Sequence, residues 1–282
     1  MKVTREAGRS LLVMLLASAT MSAQAPAGQR GRGGAPAVPL TAKQQAPIDL
    51  TGYWVSVVTE DWRYRMMSPP KGDHPGLPLN AEGNRVANSW DPAKDETAGE
   101  QCRAYGAAGV MRAPGRLRVS WESDNTLKVE TEAGTQTRLF VFGTATAEPA
   151  AASAPATTPA PAAAPAPAAA TWQGTSLAQW EMAGGGGRRG AASTPRGGSL
   201  KVVTTHMRPG YLQKNGVPYG DNAVLTEYFS RTTEPNGDSW LILTHVVEDP
   251  QYLTQAFIRS THFKKLPDST SSSWMPEACS AR

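Results

Sequence analysis

The chain has 282 residues, a formal net charge of +4 and only two cysteines, Cys102 and Cys279. Much of that charge sits in the first residues, where Lys2, Arg5 and Arg9 outweigh Glu6, and the remainder carries about +2. So small an excess argues against a nucleic-acid partner. Beyond the opening segment no stretch approaches the roughly 20 apolar residues that a membrane-spanning helix requires.

Taken from its start, the chain reads first as a secretory leader over residues 1–23. Basic residues precede the apolar run Leu11-Leu12-Val13-Met14-Leu15-Leu16, and small residues follow, with cleavage expected after Ala19 or Ala23. The expectation is therefore a periplasmic or secreted protein with no membrane span after cleavage. No cysteine follows the apolar run to take a lipid anchor. Residues 24–47, rich in Ala, Pro, Gly and Gln, read as a disordered linker, and residues 48–282 as a single β domain. Two tracts interrupt that domain, an Ala/Pro stretch at 144–171 and a Gly/Arg stretch at 183–198. Both read as flexible insertions at strand ends, since lengthening a surface loop costs little free energy.

The folded remainder breaks into short runs rich in Val, Thr, Leu and aromatics, bounded by turn residues. Strands are predicted over residues 52–58, 116–122, 126–131, 137–142, 176–181, 200–206, 223–231, 240–247 and 256–264. Ser123-Asp124-Asn125-Thr126 and Pro235-Asn236-Gly237-Asp238 read as hairpin turns, because Asn, Asp and Gly tolerate the positive φ such turns need. Helical periodicity is confined to a short helix over 80–87, after Pro78. Trp62-Arg63-Tyr64-Arg65, alternating aromatic and basic residues, reads as an edge strand with its aromatics buried. In an exported chain Cys102 and Cys279 most simply form one disulfide, a metal site or two free thiols being the alternatives.

Consecutive strands with short connections predict an all-β fold, an antiparallel meander closing into a barrel to protect its edges, with a two-sheet sandwich as the alternative. Gly52-Tyr53-Trp54 at the head of the first strand resembles the Gly-x-Trp signature of lipocalin-like barrels. In that fold the Trp plugs one end of the barrel. A tryptophan opening any core strand is the plainer account.

No nucleophile elbow, His-Glu-x-x-His, phosphate loop or dinucleotide fingerprint is present, so no cofactor and no standard catalytic machinery is indicated. Three histidines, His206, His245 and His262, each follow a threonine on separate predicted strands. Imidazoles meeting on one face would make a three-histidine metal site with an open fourth position, although cross-strand threonine and histidine are also ordinary in sheets. Within residues 205–229 the polar residues fall in a connection of about 15 residues between two strands, and long loops in compact domains are commonly functional. It reads as a lid over a barrel mouth, with His206, Arg208, Tyr211 and Tyr219, together with Trp54, as candidate ligand contacts.

The segments "DLTGYW", "PLNAEG", "WDPAKD", "LKVVTTHMRPGYLQKNGVPYGDNAVLTEYF" and "VVEDPQYLTQAF" together resemble a widespread family of exported, β-rich bacterial proteins, over most of residues 49–265. The resemblance implies export and a β-rich fold and brings no catalytic residue with it. Glu227-Tyr228-Phe229 departs from that family's Glu-Arg-Phe. The sequence thus points to an exported barrel binding a small apolar or aromatic molecule. A metal-dependent or carboxylate-based hydrolase and an envelope interaction module are the alternatives.

Overall fold

The computed structural model describes residues 39–143, 169–182 and 197–282. Residues 1–23, expected to be a leader, and nearly all of both low-complexity tracts lie outside the described residues. In chain order the elements are α1 (Ala42–Gln45), β1 (Gly52–Val57), α2 (Trp62–Arg65), α3 (Ala81–Ser89), α4 (Pro92–Thr97), α5 (Ala107–Val110), β2 (Arg116–Ser123), β3 (Thr126–Thr131), β4 (Gln136–Phe142), β5 (Thr175–Met182), β6 (Gly198–Thr205), β7 (Gly210–Gln213), β8 (Val217–Tyr219), β9 (Val224–Thr233), β10 (Ser239–Glu248) and β11 (Phe257–Lys265).

Nine strands close into one barrel in the order β1-β11-β10-β9-β6-β5-β4-β3-β2, while β7 and β8 pair apart from it. Closure leaves the barrel strands no free edge, which a two-sheet sandwich would retain. An odd number of strands cannot alternate direction all the way round, so one neighbouring pair must run parallel. That pair is β4 and β5, with Phe140 opposite Ser176 and Phe142 opposite Ala178. Every other neighbouring pair in the barrel runs antiparallel, as expected. A parallel pair needs a crossover of a dozen or more residues from one barrel end to the other, and residues 143–174 supply it. The Ala/Pro tract therefore occupies the one connection that has to be long.

Alternation of side chains sends Leu117, Val119, Leu127, Val129, Phe140, Leu200, Val202, Phe229, Leu241, Leu243 and Phe263 inward, all buried. Trp54 joins them, fully buried, its Nε1 donating to Leu50 O at 2.9 Å. The cations of Arg231 and Lys265 lie 6.0 and 5.2 Å from the Trp54 rings. The void left among Leu50, Leu117, Leu127, Phe140, Leu200 and Phe229 is only about 10 Å³, the space of a single water at most. The barrel is a packed core rather than a cup.

Farther along the strands a polar layer lies between this core and a second apolar cluster that includes Leu225, Val247 and Phe257. Arg138 is buried and forms a forked pair with Glu227, at 2.8 and 2.5 Å, and a third bond to Thr204 Oγ1 at 3.2 Å. Ser176 and Thr204 hydroxyls meet at 2.8 Å. His245, opposite Glu227 in the β9–β10 ladder, and Thr261, opposite Leu243, are buried beside them.

The two barrel ends are covered differently. At one end the segment before β1 crosses as a strap. Thr41 and Gln44 cap α1 reciprocally, at 3.3 and 3.0 Å, and the strap is tied on by Ala42 N to Asn125 Oδ1 at 2.8 Å and Trp180 Nε1 to Ala42 O at 2.8 Å. Residues 41–47 are thus part of the fold and not of a disordered linker, because Thr-x-x-Gln stops the chain and the barrel rim holds it. At the other end sit α2 to α5, the β7–β8 hairpin and the turn after β10.

Trp62-Arg63-Tyr64-Arg65 is a helical turn, not an edge strand. Its burial does not alternate either, with Trp62 63% exposed and Arg65 only 4% exposed. Arg65 is drawn inward by Glu60, Ser56 Oγ at 2.9 Å and Arg112 O at 2.9 Å, partners that a periodicity argument does not see.

A candidate ligand cleft at the helical end

A cleft of about 220 Å³ opens between α3–α4 and the β7–β8 hairpin. Its walls are built by short local signals. Asn80 caps α3 by accepting from Gly83 N at 2.8 Å, and its amide donates to Gln251 O at 2.9 Å, which fixes the helix against the turn carrying Tyr252. A Cβ at Gly83 would run into the Tyr252 carbonyl. Asp91 caps α4 through Ala93 N at 3.1 Å, with Pro92 in the first helical position, where its missing N–H is harmless.

Trp90 ends α3 and stands on one wall, its indole against Gly216, whose φ of +84° and lack of a side chain make room for it. Asn215-Gly216 forms the hairpin tip, and Asn215 Nδ2 donates to Pro70 O and Asp73 O at 3.2 and 2.9 Å. Tyr252 and Tyr211 supply further aromatic surface, with Pro209 and Pro218 between them.

The floor is a polar network. Asp95, 6% exposed, accepts from Tyr211 Oη at 2.9 Å and from Arg103 Nη1 at 2.9 Å. Arg103 Nη1 also donates to Tyr211 Oη at 3.1 Å. Glu100 accepts from Arg208 Nη2 at 2.7 Å and lies 3.6 Å from Arg103 Nε. Arg208 in turn stacks 4.1 Å from the Trp172 ring. Burial and the bond to Asp95 push the Tyr211 hydroxyl up to about 12. It stays a protonated donor at neutral pH, so it orients Asp95 and does not serve as a base.

Arg103 follows directly on Cys102, and Cys102 is disulfide-bonded to Cys279 across a sequence separation of 177 residues. The link ties the chain's last residues to the turn that aims Arg103 into the cleft. In the chain-entropy description so long a loop contributes about 5 kcal/mol.

Of the residues expected to contact a ligand, the structure brings Tyr211 and Tyr219 to this cleft and places Arg208 behind it. Tyr219 is fully buried, its ring running beneath Gly106 and Gly210, where a Cβ would collide with the phenol. Burial raises its hydroxyl well above the usual tyrosine range. His206 lies apart and exposed, with φ 55° and its Nδ1 2.9 Å from Thr205 Oγ1, because β6 ends at Thr205. Trp54 belongs to the opposite half of the barrel and is sealed in the core, so it holds the fold instead of a ligand.

The three histidines do not converge. His245 faces the barrel interior, whereas His262 pairs with Ile242 and faces outward to Glu60, with Nδ1 3.3 Å from Oε2. His206 has left the ladder altogether. Strand parity separates the first two and the end of β6 removes the third, and among the described residues no group of three or more His, Cys, Asp or Glu could hold a metal ion. Burial, with Arg112, Arg259, Arg65 and Arg138 nearby, holds His245 down at about 3.

The sequence reading missed Asp95, Arg103 and Tyr252. Asp95 sits in the first turn of a six-residue helix and Arg103 in a turn of 3₁₀ type, elements too short for periodicity to reveal. The Asp249-Pro250 turn was legible, but which wall its Tyr252 would meet was not. No family model, curated protein or solved structure matches the chain.

Proposed function

We propose that this is an exported binding protein whose ligand is a small planar molecule, held in the cleft between α3–α4 and the β7–β8 hairpin. The observation that carries the reading is the Tyr211–Asp95–Arg103 network laid between aromatic walls. Aromatic faces give a ring its contact area, and a few fixed polar groups at the edge set its orientation. A volume of about 220 Å³ favours a ligand of one ring. The packed interior favours this cleft over the barrel lumen as the place of binding. Export is supported by the leader-like first residues and by the disulfide, which persists in oxidising compartments. Kinship with the exported β-rich family belongs to the same proposal.

Ligand-observed nuclear magnetic resonance against a library of monocyclic aromatics and heterocycles tests it. Binders should lose their signal change with Tyr252→Ala, which opens one wall while leaving the network in place. A library with no binder, or binders indifferent to Tyr252→Ala, would sink the reading.

A further inference from the structure

The strap end of the barrel carries a second cavity, of about 330 Å³, which the ligand cleft does not touch. The strap residues Ala46, Ile48 and Leu50 face Trp121, Trp180 and Leu127 across it. Trp121, Phe142 and Trp180 form one aromatic group, with ring centroids 5.7, 6.4 and 5.2 Å apart. They pack on the barrel core without being fully buried, as does Ile48. Leu50 and Leu127 also border the small interior void, so the cavity floor is the barrel core itself. Its volume reaches the low end of the range of ligand sites, roughly 300 Å³, and its lining is mostly carbon.

The strap is held at both ends and bridges the cavity between them. Lys43 N donates to Asp124 O at 3.0 Å on one side, and Arg231 Nη1 to Asp49 O at 2.6 Å on the other. Of the two charged side chains in the lining, Asp49 is already engaged. Its Oδ1 accepts from Thr51 N and Oγ1 at 2.9 and 2.7 Å, and Arg231 lies 4.0 Å from its Oδ2. Among the described residues the Lys43 ammonium meets no counter-charge within salt-bridge distance.

We propose that this cavity is a second binding site, for a small aromatic molecule bearing one anionic group. The ring lies against Trp121 and Trp180 and the anion meets Lys43. An aromatic ring gains contact area and edge-to-face geometry from two tryptophans. The exposed ammonium adds a modest preference for the anion over a neutral analogue. This inference is independent of the cleft at the helical end.

Two fluorescent probes that differ by a sulfonate test it, anilinonaphthalene sulfonate and neutral N-phenyl-naphthylamine, titrated into the full chain at neutral pH. Each should bind with one site per chain. Ala46→Trp fills the cavity and should weaken both at least about ten-fold, the effect of a lost apolar contact surface. Lys43→Gln, at an exposed position that does not bear on folding, should weaken only the sulfonate, by roughly two- to five-fold. Tyr252→Ala, in the other cleft, should change neither. Absence of a one-to-one site, indifference to Ala46→Trp, or loss of binding in Tyr252→Ala overturns the site, and indifference of the sulfonate to Lys43→Gln overturns its anionic specificity. Near-ultraviolet circular dichroism confirms native packing in each variant, and should Ala46→Trp lose it, the Lys43→Gln comparison of the two probes decides.

Discussion

Around Trp54, Leu117, Leu127, Phe140 and Phe229 the barrel interior is carbon packed to near-solid density, whereas around Arg138, Glu227, His245 and Thr261 the same strands enclose charge. The first half asks only for volume and shape, which many residue combinations can meet. In the second half Arg138 and Glu227 depend on each other, since an ion left alone in such a place costs several kcal/mol. Stability is therefore diffuse around the carbon core, whereas the polar layer adds a specific pair beneath a second apolar cluster that includes Leu212, Val217, Leu225, Val247 and Phe257.

The largest expected effect lies at the helical end. Replacing Cys102 and Cys279 by serine should cost about 5 kcal/mol of the unfolding free energy, less whatever residual order the unfolded chain retains. Urea melts of the oxidised wild type and the double variant measure it. The apolar half should be unchanged in near-ultraviolet aromatic signal at temperatures where both remain folded, and a uniform loss across both halves would break the distinction.

Next comes the forked pair. Glu227→Leu or Arg138→Met alone should each cost about 3–5 kcal/mol, because either leaves a buried charge without its partner. Together they should cost far less than their sum, and the double-mutant cycle reads that coupling directly. Phe140→Ala, in the carbon half, provides the contrast. It should also cost about 3–5 kcal/mol through the cavity it leaves, yet couple to no single partner as strongly. Equal coupling for Phe140 with Phe229, whose rings stand 5.4 Å apart, would show that the two halves are held in the same manner.

His245 turns the contrast into a dependence on pH. Its folded value near 3 lies below the ordinary 6.5, so the unfolded chain binds the extra proton throughout that window. Stability is therefore fully present above about pH 6.5 and is lost as pH falls toward 3, with a slope approaching about 1.4 kcal/mol per pH unit from this residue. Burial pushes Glu60 and Asp61 up, but the Thr59 hydroxyl with Arg65 for the one and Arg112 with Arg259 for the other outweigh it, Arg118 holds Glu130 down, and all three add to the loss only at lower pH. His245→Leu should flatten the curve between pH 6.5 and 5, where those carboxylates are still ionised. An unchanged slope there would place the acid sensitivity elsewhere.

The nine barrel strands were legible in the sequence to within a residue or two, because each carries β-branched and aromatic residues between strong turn signals. The helix from Ala81 was legible from its periodicity after Pro78. What stayed hidden was anything decided by a partner far along the chain. The parallel β4–β5 pairing follows from closing an odd number of strands, a property of the whole barrel. Arg65 and Arg138 are buried for partners that no local pattern announces, Ser56 and Arg112 O for the one and Glu227, 89 residues away, for the other. In the site, Tyr211 and Tyr219 could be singled out because they crowd one polar loop. Asp95 could not, since its meaning is set by Arg103 and Tyr211, which reach it from separate elements. The β7–β8 hairpin was read as a lid, though Asn215-Gly216 marks its tip as a turn.

The smallest effect expected is the most specific to the cleft. Asp95→Asn keeps the shape of the side chain but removes the charge that Arg103 and Tyr211 both address. The loss in stability should be only about 1–2 kcal/mol, because Arg103 retains Glu100 within 3.6 Å. The Tyr211 hydroxyl, in contrast, should ionise below its present value near 12, since one cause of its elevation is the bond to Asp95 and the Arg103 charge that remains favours the phenolate. Ultraviolet difference titration of the wild type and variant, each referenced to Tyr211→Phe, isolates that one phenol. If it ionises at the same pH in both, burial alone sets it and the polar floor of the cleft is not a coupled network. If it drops while the unfolding free energy barely moves, the charge on Asp95 serves to orient the cleft and contributes little to holding the fold together.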